Sequence, residues 1–508
     1  MSAVFDLQEL DPELCQRLPY HFAKRHGVLS ARQVAGVVEV WSRPGVSTTV
    51  LAELRRALGR PLRVHELSTE AFDAALNRAY ERGMNQAMQI VDDLGEDMDL
   101  AELTQNLPRA EDLLESEDDA PIVRLINALL TQAVREGASD IHIEPFETRS
   151  VVRFRLDGVL RDIVEPQQVL HGVIVSRIKI MARLDIAEKR LPQDGRITLR
   201  LAGRPVDVRV STLPTGHGER VVLRLLDKQM GRLRLASLGM SEATLAILDR
   251  LIHQPHGIIL VTGPTGSGKT TTLYAALSQL DAKRHNIVTV EDPIEYDLDG
   301  IGQTHVNAKI DLTFARALRA ILRQDPDIIM IGEIRDLETA QIAVQASLTG
   351  HLVLATLHTN DAVGAITRLV DMGVEPFLVA SSVVGIMAQR LVRTICPNCR
   401  ESYTPTREEL AELGLRPEQL INGIVFRGTG CSECQTTGYK GRTGIYELML
   451  VSDKVRQLIL KNTDSNTIKR TSVAEGMRTL RDDGADKVIE GMTTIQEVLR
   501  VTQEDTID

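Results

Sequence analysis

The stretch that decides the fold is Gly263-Pro264-Thr265-Gly266-Ser267-Gly268-Lys269-Thr270, which follows an apolar run over residues 258–262. It has the spacing G-x-x-x-x-G-K-[ST] of a phosphate-binding loop between a strand and a helix. Its glycines let backbone N–H groups converge on phosphate oxygens without obstruction by Cβ atoms. The helix predicted after the loop adds a favourable dipole for an anion. We therefore predict a nucleotide site here. A chance glycine-rich turn is the alternative, which the strand and helix on either side disfavour.

Side chains of this loop are expected to contribute as well. Lys269 supplies a cation to the β- and γ-phosphates, and Thr270 supplies a hydroxyl ligand to Mg²⁺. The predicted nucleotide-binding residues are Gly263, Pro264, Thr265, Gly266, Ser267, Gly268, Lys269, Thr270 and Thr271.

Two further apolar runs end in carboxylates, in the segments TVEDPIEY (289–296) and DPDIIMIGEIRD (325–336). The C-terminal ends of strands are where open α/β sheets bind ligands. Phosphoryl transfer to water also needs a positioned base and a metal organiser, which carboxylates can provide. Gly332 stands where P-loop proteins usually have an Asp, which leaves Glu333. Ordinary strand-end turns are the alternative for either segment alone.

Two histidines bracket a predicted buried strand in TGHLVLATLHTN (349–360). His351 precedes the strand and His358 follows it. They could sense phosphate or contact a neighbouring subunit, although spacing alone favours a structural role for each.

Four of the five cysteines form two CxxC pairs, Cys396/Cys399 and Cys431/Cys434. Four thiolates match tetrahedral Zn²⁺, and a closed set of protein ligands indicates a structural site. The loop between the pairs is longer than in compact zinc ribbons. A redox disulfide pair is the alternative, but neither pair lies in a thioredoxin-like context.

Composition excludes several classes of protein. Hydrophobic residues make up 43% and charged residues 25%, as in ordinary globular domains. A net charge of −11 and 3% aromatic residues disfavour nucleic-acid binding. The longest stretch of low polarity, residues 377–388, is too short to span a membrane. The N-terminus lacks a signal-peptide pattern, so we expect a cytoplasmic address.

The length of 508 residues suggests about three domains. We predict a small docking domain over residues 1–93 and an acidic linker over 94–120, for which an acidic surface helix is the alternative. Strand alternation predicts an α+β domain with an antiparallel sheet over 121–235. Alternating strands and helices then predict an α/β domain with a mostly parallel sheet over 236–508, which includes a tetracysteine subdomain over 394–440.

Together these segments resemble the secretion ATPases of type II secretion systems and type IV pili. The resemblance covers about residues 121–508 and rests on motifs that occur in the family's order: GPTGSGKTTTLY (263–274), TVEDPIEY (289–296), RQDPDIIMIGEIRD (323–336) and TGHLVLATLHTND (349–361). Upstream, GASDIHIEP (137–145) and RLPQDGR (190–196) resemble the family's second N-terminal domain, which has a PAS-like core.

The resemblance implies a hexameric ATPase with a RecA-like core that uses ATP and Mg²⁺. Carried over by motif, Glu295 would polarise the attacking water and Glu333 would organise Mg²⁺ and its waters. His351 and His358 would couple the γ-phosphate to domain movement. The tetracysteine subdomain, found in the secretion and pilus-assembly members, would hold Zn²⁺.

The family also lends arginines from its second N-terminal domain to the nucleotide. The matching positions are Arg209 in VDVRV (206–210) and Arg224 in VVLRL (221–225). Without the resemblance, either arginine is a solvated charge on a strand. A guanidinium fork suits the charge that develops on a transferring phosphoryl group.

The segment LPYHFAKRHGV (18–28) resembles the start of the type II secretion members. The resemblance implies that the first domain binds the cytoplasmic part of the inner-membrane L protein, with the inner-membrane platform protein as a further partner. An acidic chain would thus be recruited to the membrane without a span of its own. The alternatives are a pilus assembly ATPase and a nucleotide-gated scaffold that does not hydrolyse ATP. A GTPase is disfavoured because no NKxD motif occurs.

Overall fold

The computed structural model describes most of residues 10–79, and then residues 120–201, 204–227 and 234–502. The chain divides into two compact units. The first comprises Met1–Phe154 and Asp162–Leu225, and the second comprises Arg155–Arg161 and Leu226–Asp508. The predicted acidic linker lies outside the described residues except for Ala120.

A small sheet forms the N-terminal part of the first unit. Its elements are β1 (Val28–Val34), β2 (Val37–Ser42), helix α1 (Thr48–Leu58) and β3 (Leu62–Glu66). Strand β2 pairs antiparallel with β1 and parallel with β3. Leu29, Trp41 and Phe72 are buried in its core. The helical spacing of apolar residues over 50–58 predicts α1, which is confirmed, whereas the three strands were not predicted.

A six-stranded sheet forms the rest of the first unit, in the order β6-β5-β4-β9-β8-β7. The elements are α2 (Ala120–Arg135), β4 (Asp140–Pro145), β5 (Ser150–Leu156), β6 (Val159–Val164), α3 (Gln168–Met181), β7 (Gln193–Leu201), β8 (Arg204–Thr215) and β9 (Gly218–Asp227). The predicted antiparallel pairing is present between β4 and β9 and between β7 and β8. Helix α2 buries Leu125, Leu129 and Ala133, whose spacing of four places them on one face.

The second unit is built on a seven-stranded sheet. Its first half contains α4 (Glu242–Ile252), β10 (Gly257–Thr262), α5 (Lys269–Leu277), β11 (Ile287–Glu291), β12 (Gly302–His305), α6 (Phe314–Ile321), β13 (Ile328–Ile331), α7 (Leu337–Leu348) and β14 (Leu352–Leu357). Every residue of β10, β13 and β14 is buried. Continuous apolar runs of this kind are typical of strands covered on both faces.

The second half adds α8 (Ala362–Asp371), α9 (Pro376–Ser382), β15 (Val383–Ile395), β16 (Arg400–Tyr403), α10 (Arg407–Glu412), β17 (Val425–Gly428), β18 (Tyr439–Leu450), α11 (Asp453–Leu460), α12 (Ser465–Ala474), α13 (Leu480–Ile489) and α14 (Ile495–Thr502). The strand order is β12-β11-β13-β14-β10-β15-β18, and only the β15–β18 pairing is antiparallel. The predicted α/β fold with a parallel-rich sheet is confirmed.

No helix in the described ranges is both long and apolar enough to cross a bilayer. The low-polarity stretch 377–388 contains most of α9 and the start of β15, which pack into the second unit. Its low polarity therefore reflects core packing.

A buried carboxylate fastens the last helix to the sheet. Glu497 on α14 is 2% exposed and receives hydrogen bonds from Arg393 on β15 and from Arg500. Burial by itself raises the pKa of Glu497, but the bonds from the two guanidinium groups outweigh it and lower this pKa from 4.5 to about 2.

We expect Glu497→Gln to lower the free energy of unfolding of the second unit by about 2 kcal/mol at pH 7, because the charge-assisted bonds are lost. A carboxylate with a lowered folded pKa stabilises the fold above its unfolded pKa. The difference between variant and parent should therefore shrink as pH falls from about 4.5 to 2. Chemical unfolding followed at pH 7 and pH 3 measures this, with exposed Glu490→Gln as the control. A deficit of equal size at both pH values would contradict the assignment.

Candidate functional site

The phosphate-binding loop connects β10 to α5, as predicted. Gly263 and Gly268 have φ angles of 149° and 88°, which side chains with a Cβ rarely adopt. A Cβ on Gly263 would lie 2.4 Å from the Gln389 carbonyl oxygen, and one on Gly268 would lie 2.8 Å from Gln389 Nε2. The glycines are thus required both by the backbone conformation and by the close approach of β15.

Two side chains of the loop have properties suited to an anion. Lys269 is 8% exposed, and its Nζ donates to the carbonyl oxygens of Gly263 (2.8 Å) and Pro264 (3.0 Å). The Ser267 hydroxyl is buried and has no hydrogen-bond partner within the described part of the chain. A phosphate oxygen would satisfy both groups, so the residues present fit a nucleotide phosphate.

The pKa of Lys269 is lowered to about 8, mainly by burial; Glu333 opposes this change and the nearby Arg390 guanidinium adds to it. The cation is therefore held where water screens it poorly. A polyanion bound in the loop would stabilise the charged ammonium group.

Glu333 lies directly beyond β13 and faces the loop. Its side chain is 16% exposed and forms ion pairs with Arg335 and with His358, whose Nε2 lies 3.5 Å from Glu333 Oε2. Burial and the charge of Lys269 lower the pKa of His358, and Glu333 opposes this effect. The structure thus brings Lys269, Glu333 and His358 to one edge of the sheet.

The backbone of β11 packs closely against Gly332, which replaces the usual Asp before Glu333. The Gly332 N–H donates to the Val290 carbonyl (2.8 Å), and a Cβ here would lie 3.3 Å from both Glu291 Cα and that oxygen. A Cβ at this position would require the neighbouring backbone of β11 to shift by a few tenths of an ångström.

His351 is not brought to the loop. It precedes β14, and its carbonyl oxygen accepts from the N–H of Gly257, the first residue of β10. The loop follows the last residue of β10, about 20 Å away along a strand of six residues. The His351 Nδ1 atom instead lies within hydrogen-bond distance of the Ala346 carbonyl (2.9 Å) and the Thr349 hydroxyl (3.1 Å).

The acidic segment TVEDPIEY (289–296) includes the end of β11 and carries Glu295 in the loop that follows. The backbone N–H of Glu295 donates to the hydroxyl of Tyr274 on α5 (3.3 Å). Its carboxylate is near enough to Tyr274 and Tyr296 to contribute to the raised pKa of each phenol, for which burial is the main cause.

The two predicted arginines lie in the first unit. Arg224 on β9 donates to Asp140 (2.8 Å), and its side chain remains 52% exposed. Arg209 on β8 is half-buried opposite Arg196 on β7. Both therefore stand on strands of one antiparallel sheet.

Gln389 on β15 supports the loop and was not predicted from the sequence. This buried side chain donates to the Ser267 carbonyl (2.8 Å) and accepts from the Thr272 hydroxyl (2.8 Å). Arg390, the next residue, donates to the Asn360 carbonyl (2.8 Å) and was also missed. The sequence gives no local signal for either residue, because both lie on β15 and contact residues that are distant in the chain.

The two CxxC pairs come together although many residues separate them. The intervening chain folds back as β16 and β17, which pair antiparallel from Arg400–Gly428 to Tyr403–Val425. The long loop therefore returns to its starting point. All four cysteines are free of disulfide bonds.

The four sulfur atoms lie within 4.8 Å of one another, and three Sγ–Sγ distances are 3.7–3.8 Å. A tetrahedral site with Zn–S bonds of about 2.3 Å has sulfur–sulfur edges of about 3.8 Å. Backbone N–H groups of Cys431 and Gly438 donate to the Cys434 sulfur (both 3.2 Å). The donor set and its spacing fit a zinc ion.

Comparison with known proteins decides the family. Residues 115–500 match the family model described as type II/IV secretion system protein. The chain belongs to this family of secretion ATPases. Residues 17–80 match a second model, which describes an N-terminal domain of GSPII protein E. The sequence-based prediction of the family is therefore confirmed, and so is its type II branch.

Individual relatives agree with this assignment. The chain is 58% identical to the type II secretion system protein E of Pseudomonas aeruginosa, over 96% of this chain and 97% of that protein. It is 54% identical to the type II secretion system ATPase E of Vibrio cholerae, over 96% and 97%. Among solved structures, the pilus retraction motor PilT with bound ADP aligns over 73% of this chain and 95% of its own, with 25% identity and a TM-score of 0.50. This secretion ATPase is thus similar to its relatives of the type II system along nearly its whole length.

Proposed function

We propose that this secretion ATPase hydrolyses MgATP at the loop 263–270 to power pseudopilus assembly and protein export by a type II secretion system. The observation that carries the proposal is the convergence of Lys269, Glu333 and His358 at the edge where the loop lies. The match of residues 17–80 to the N-terminal domain of GSPII protein E favours secretion over the alternative, pilus assembly.

Each residue has a separate task in the proposed site. The backbone N–H groups of the loop and the ammonium group of Lys269 bind the β- and γ-phosphates, and burial of Lys269 strengthens this attraction. Thr270 and Glu333 would hold Mg²⁺, which neutralises charge on the phosphates when it is bound. His358 hydrogen-bonds with Glu333 and is placed to respond to the γ-phosphate.

Glu295 is proposed to accept a proton from the attacking water. It follows β11, next to β13 in the sheet, so its loop and the Glu333 segment leave the sheet at the same edge. For His351 we propose a structural role, because the sheet separates it from this edge within one subunit.

We expect Glu295→Gln and Glu333→Gln to retain nucleotide binding and to lose turnover by about 10²–10⁴-fold, as is typical when a base or metal organiser is removed. Both substitutions keep the size of the side chain. Phosphate release under saturating MgATP measures turnover, and binding of a fluorescent ATP analogue measures affinity. Exposed Glu242→Gln on α4 is the matched control. Parental turnover in both site variants would refute the assignment.

The tetracysteine cluster is proposed to bind one Zn²⁺ per chain in a structural role. A closed set of four thiolates leaves no open position for a substrate or water. The metal would join the two ends of the β16–β17 excursion, which starts at the end of β15 and returns at the start of β18.

Metal analysis of protein purified under reducing conditions should find one zinc per chain. Cys431→Ser should lose the metal and unfold at a lower temperature, since binding of the metal stabilises only the folded subdomain. Cys15→Ser, at a buried thiol of the first unit, should keep the metal. Parental protein without zinc would disprove the proposal, as would disulfide bonds among the four cysteines.

Arg209 and Arg224 are proposed to reach the nucleotide in a homohexamer. Both arginines belong to the first unit, whereas the phosphate-binding loop belongs to the second. Whether they reach the nucleotide therefore depends on assembly of the units in the hexamer. Neither arginine is fully buried. The side chain of Arg224 is 52% exposed despite its hydrogen bond to Asp140, and Arg209 is half-buried.

The rate of ATP hydrolysis per chain should rise with protein concentration as hexamers form. Sedimentation of the same samples measures the fraction of hexamer. If the arginines act as fingers, Arg209→Ala and Arg224→Ala should lower turnover by about 10³–10⁵-fold while the protein remains folded. Exposed Arg149→Ala in the same unit is the control. A fully active monomer with a flat concentration profile would rule out the proposed assembly.

The N-terminal region over residues 17–80 is proposed to dock on the cytoplasmic part of the inner-membrane L protein, and the ATPase to act on the inner-membrane platform protein. Peripheral recruitment of a cytoplasmic chain to the inner membrane would follow from these contacts. Support comes from the match of this region to a domain of GSPII protein E and from the predicted linker that joins it to the rest.

A further inference from the structure

A buried polar cluster lies behind the loop that carries Glu295. Its members are Glu291 (2% exposed), Tyr274 (1%) and Thr289 (0%), joined by Gln303 on β12. Buried polar groups of this kind cost stability unless they are hydrogen-bonded, so their partners indicate what the cluster holds in place.

The Glu291 carboxylate is the acceptor at the centre of this cluster. The Tyr274 and Thr289 hydroxyls donate to its two oxygens, and Gln303 Nε2 donates to Oε1 (3.1 Å). The phenol of Tyr274 therefore has a fixed orientation, because its one proton is committed to Glu291.

The lone pairs of the same phenol accept from Gln303 Nε2 (3.4 Å) and also face the loop. They accept the backbone N–H of Glu295 (3.3 Å). Gln303 continues the contact along the loop, since it donates to the Tyr296 carbonyl (3.2 Å) and accepts the N–H of Leu298 (2.7 Å). The backbone on both sides of Glu295 is thus supported from the interior.

Tyr274 also belongs to the phosphate-binding helix. It lies five positions after Lys269 on α5, a rise of about 7.5 Å along the helix axis. A helix is rigid over this distance. One residue therefore connects the element that binds phosphate to the loop that carries the proposed base.

We propose that Tyr274 is a positioning residue for ATP hydrolysis: its hydroxyl, oriented by Glu291, holds the Glu295 backbone at a fixed distance from the bound phosphates. This inference rests on the proposed role of Glu295 as the base. A misplaced base lowers the rate of the chemical step but leaves ground-state binding of the nucleotide intact.

The test is Tyr274→Phe in the full-length protein, assayed for kcat and KM with MgATP. The ring and its edge-to-face contact with Tyr296 remain, and only the hydroxyl is removed. We expect kcat to fall about tenfold with KM unchanged, the size typical for loss of one buried hydrogen bond. Tyr446→Phe is the matched control, because Tyr446 is a buried tyrosine of the same core whose hydroxyl donates to the Leu238 carbonyl (2.9 Å). It should keep parental kcat.

Glu295→Gln separates this inference from the proposed function. In the residual turnover of Glu295→Gln, Tyr274→Phe should cause no further loss, since Tyr274 acts through Glu295. Parental kcat in Tyr274→Phe alone, or an equal loss in Tyr446→Phe, would overturn the positioning role and leave the proposed function standing. Parental turnover in Glu295→Gln would overturn both.

Discussion

The parallel hydrogen bonding of β10 to β14 on one side and to β15 on the other is the constraint on which the site depends. Parallel strands end at the same edge, so the residue after each strand is brought to a common line. The phosphate loop follows β10, His358 follows β14, and Glu333 follows β13 one strand further. Residues from distant motifs meet because the strands run in one direction.

Burial then gives these residues their chemistry. Lys269 is enclosed by loop carbonyls and by the side of β15, which weakens its hold on a proton and exposes it to little water. Glu333 lies close enough to offset part of that cost. In the chain alone, the partly buried carboxylate offsets only part of the charge of the buried ammonium group. A bound phosphate with its metal would complete the charge balance of the site.

Much of this arrangement could be predicted from sequence, for physical reasons that differ between residues. The loop, the carboxylate ends and the cysteine pairs are local patterns, and each encodes its own chemistry within a few positions. Gln389 and Tyr274 act through hydrogen bonds to residues distant in the sequence, which no short pattern encodes. The opposite placement of His351 and His358 follows from the direction of β14, which separates them, although both belong to one sequence motif. The N-terminal strands were missed because strands of 7, 6 and 5 residues give only a short periodic signal.

Strand β15 has a mechanical property that follows from its length. Gln389 touches the phosphate loop, and Cys396 stands just beyond the end of the same strand, about 23 Å further along an extended chain. Pairing with β18 along almost all of this length prevents the strand from buckling. The contact with the phosphate loop and the cysteine cluster are therefore carried by one two-stranded ribbon.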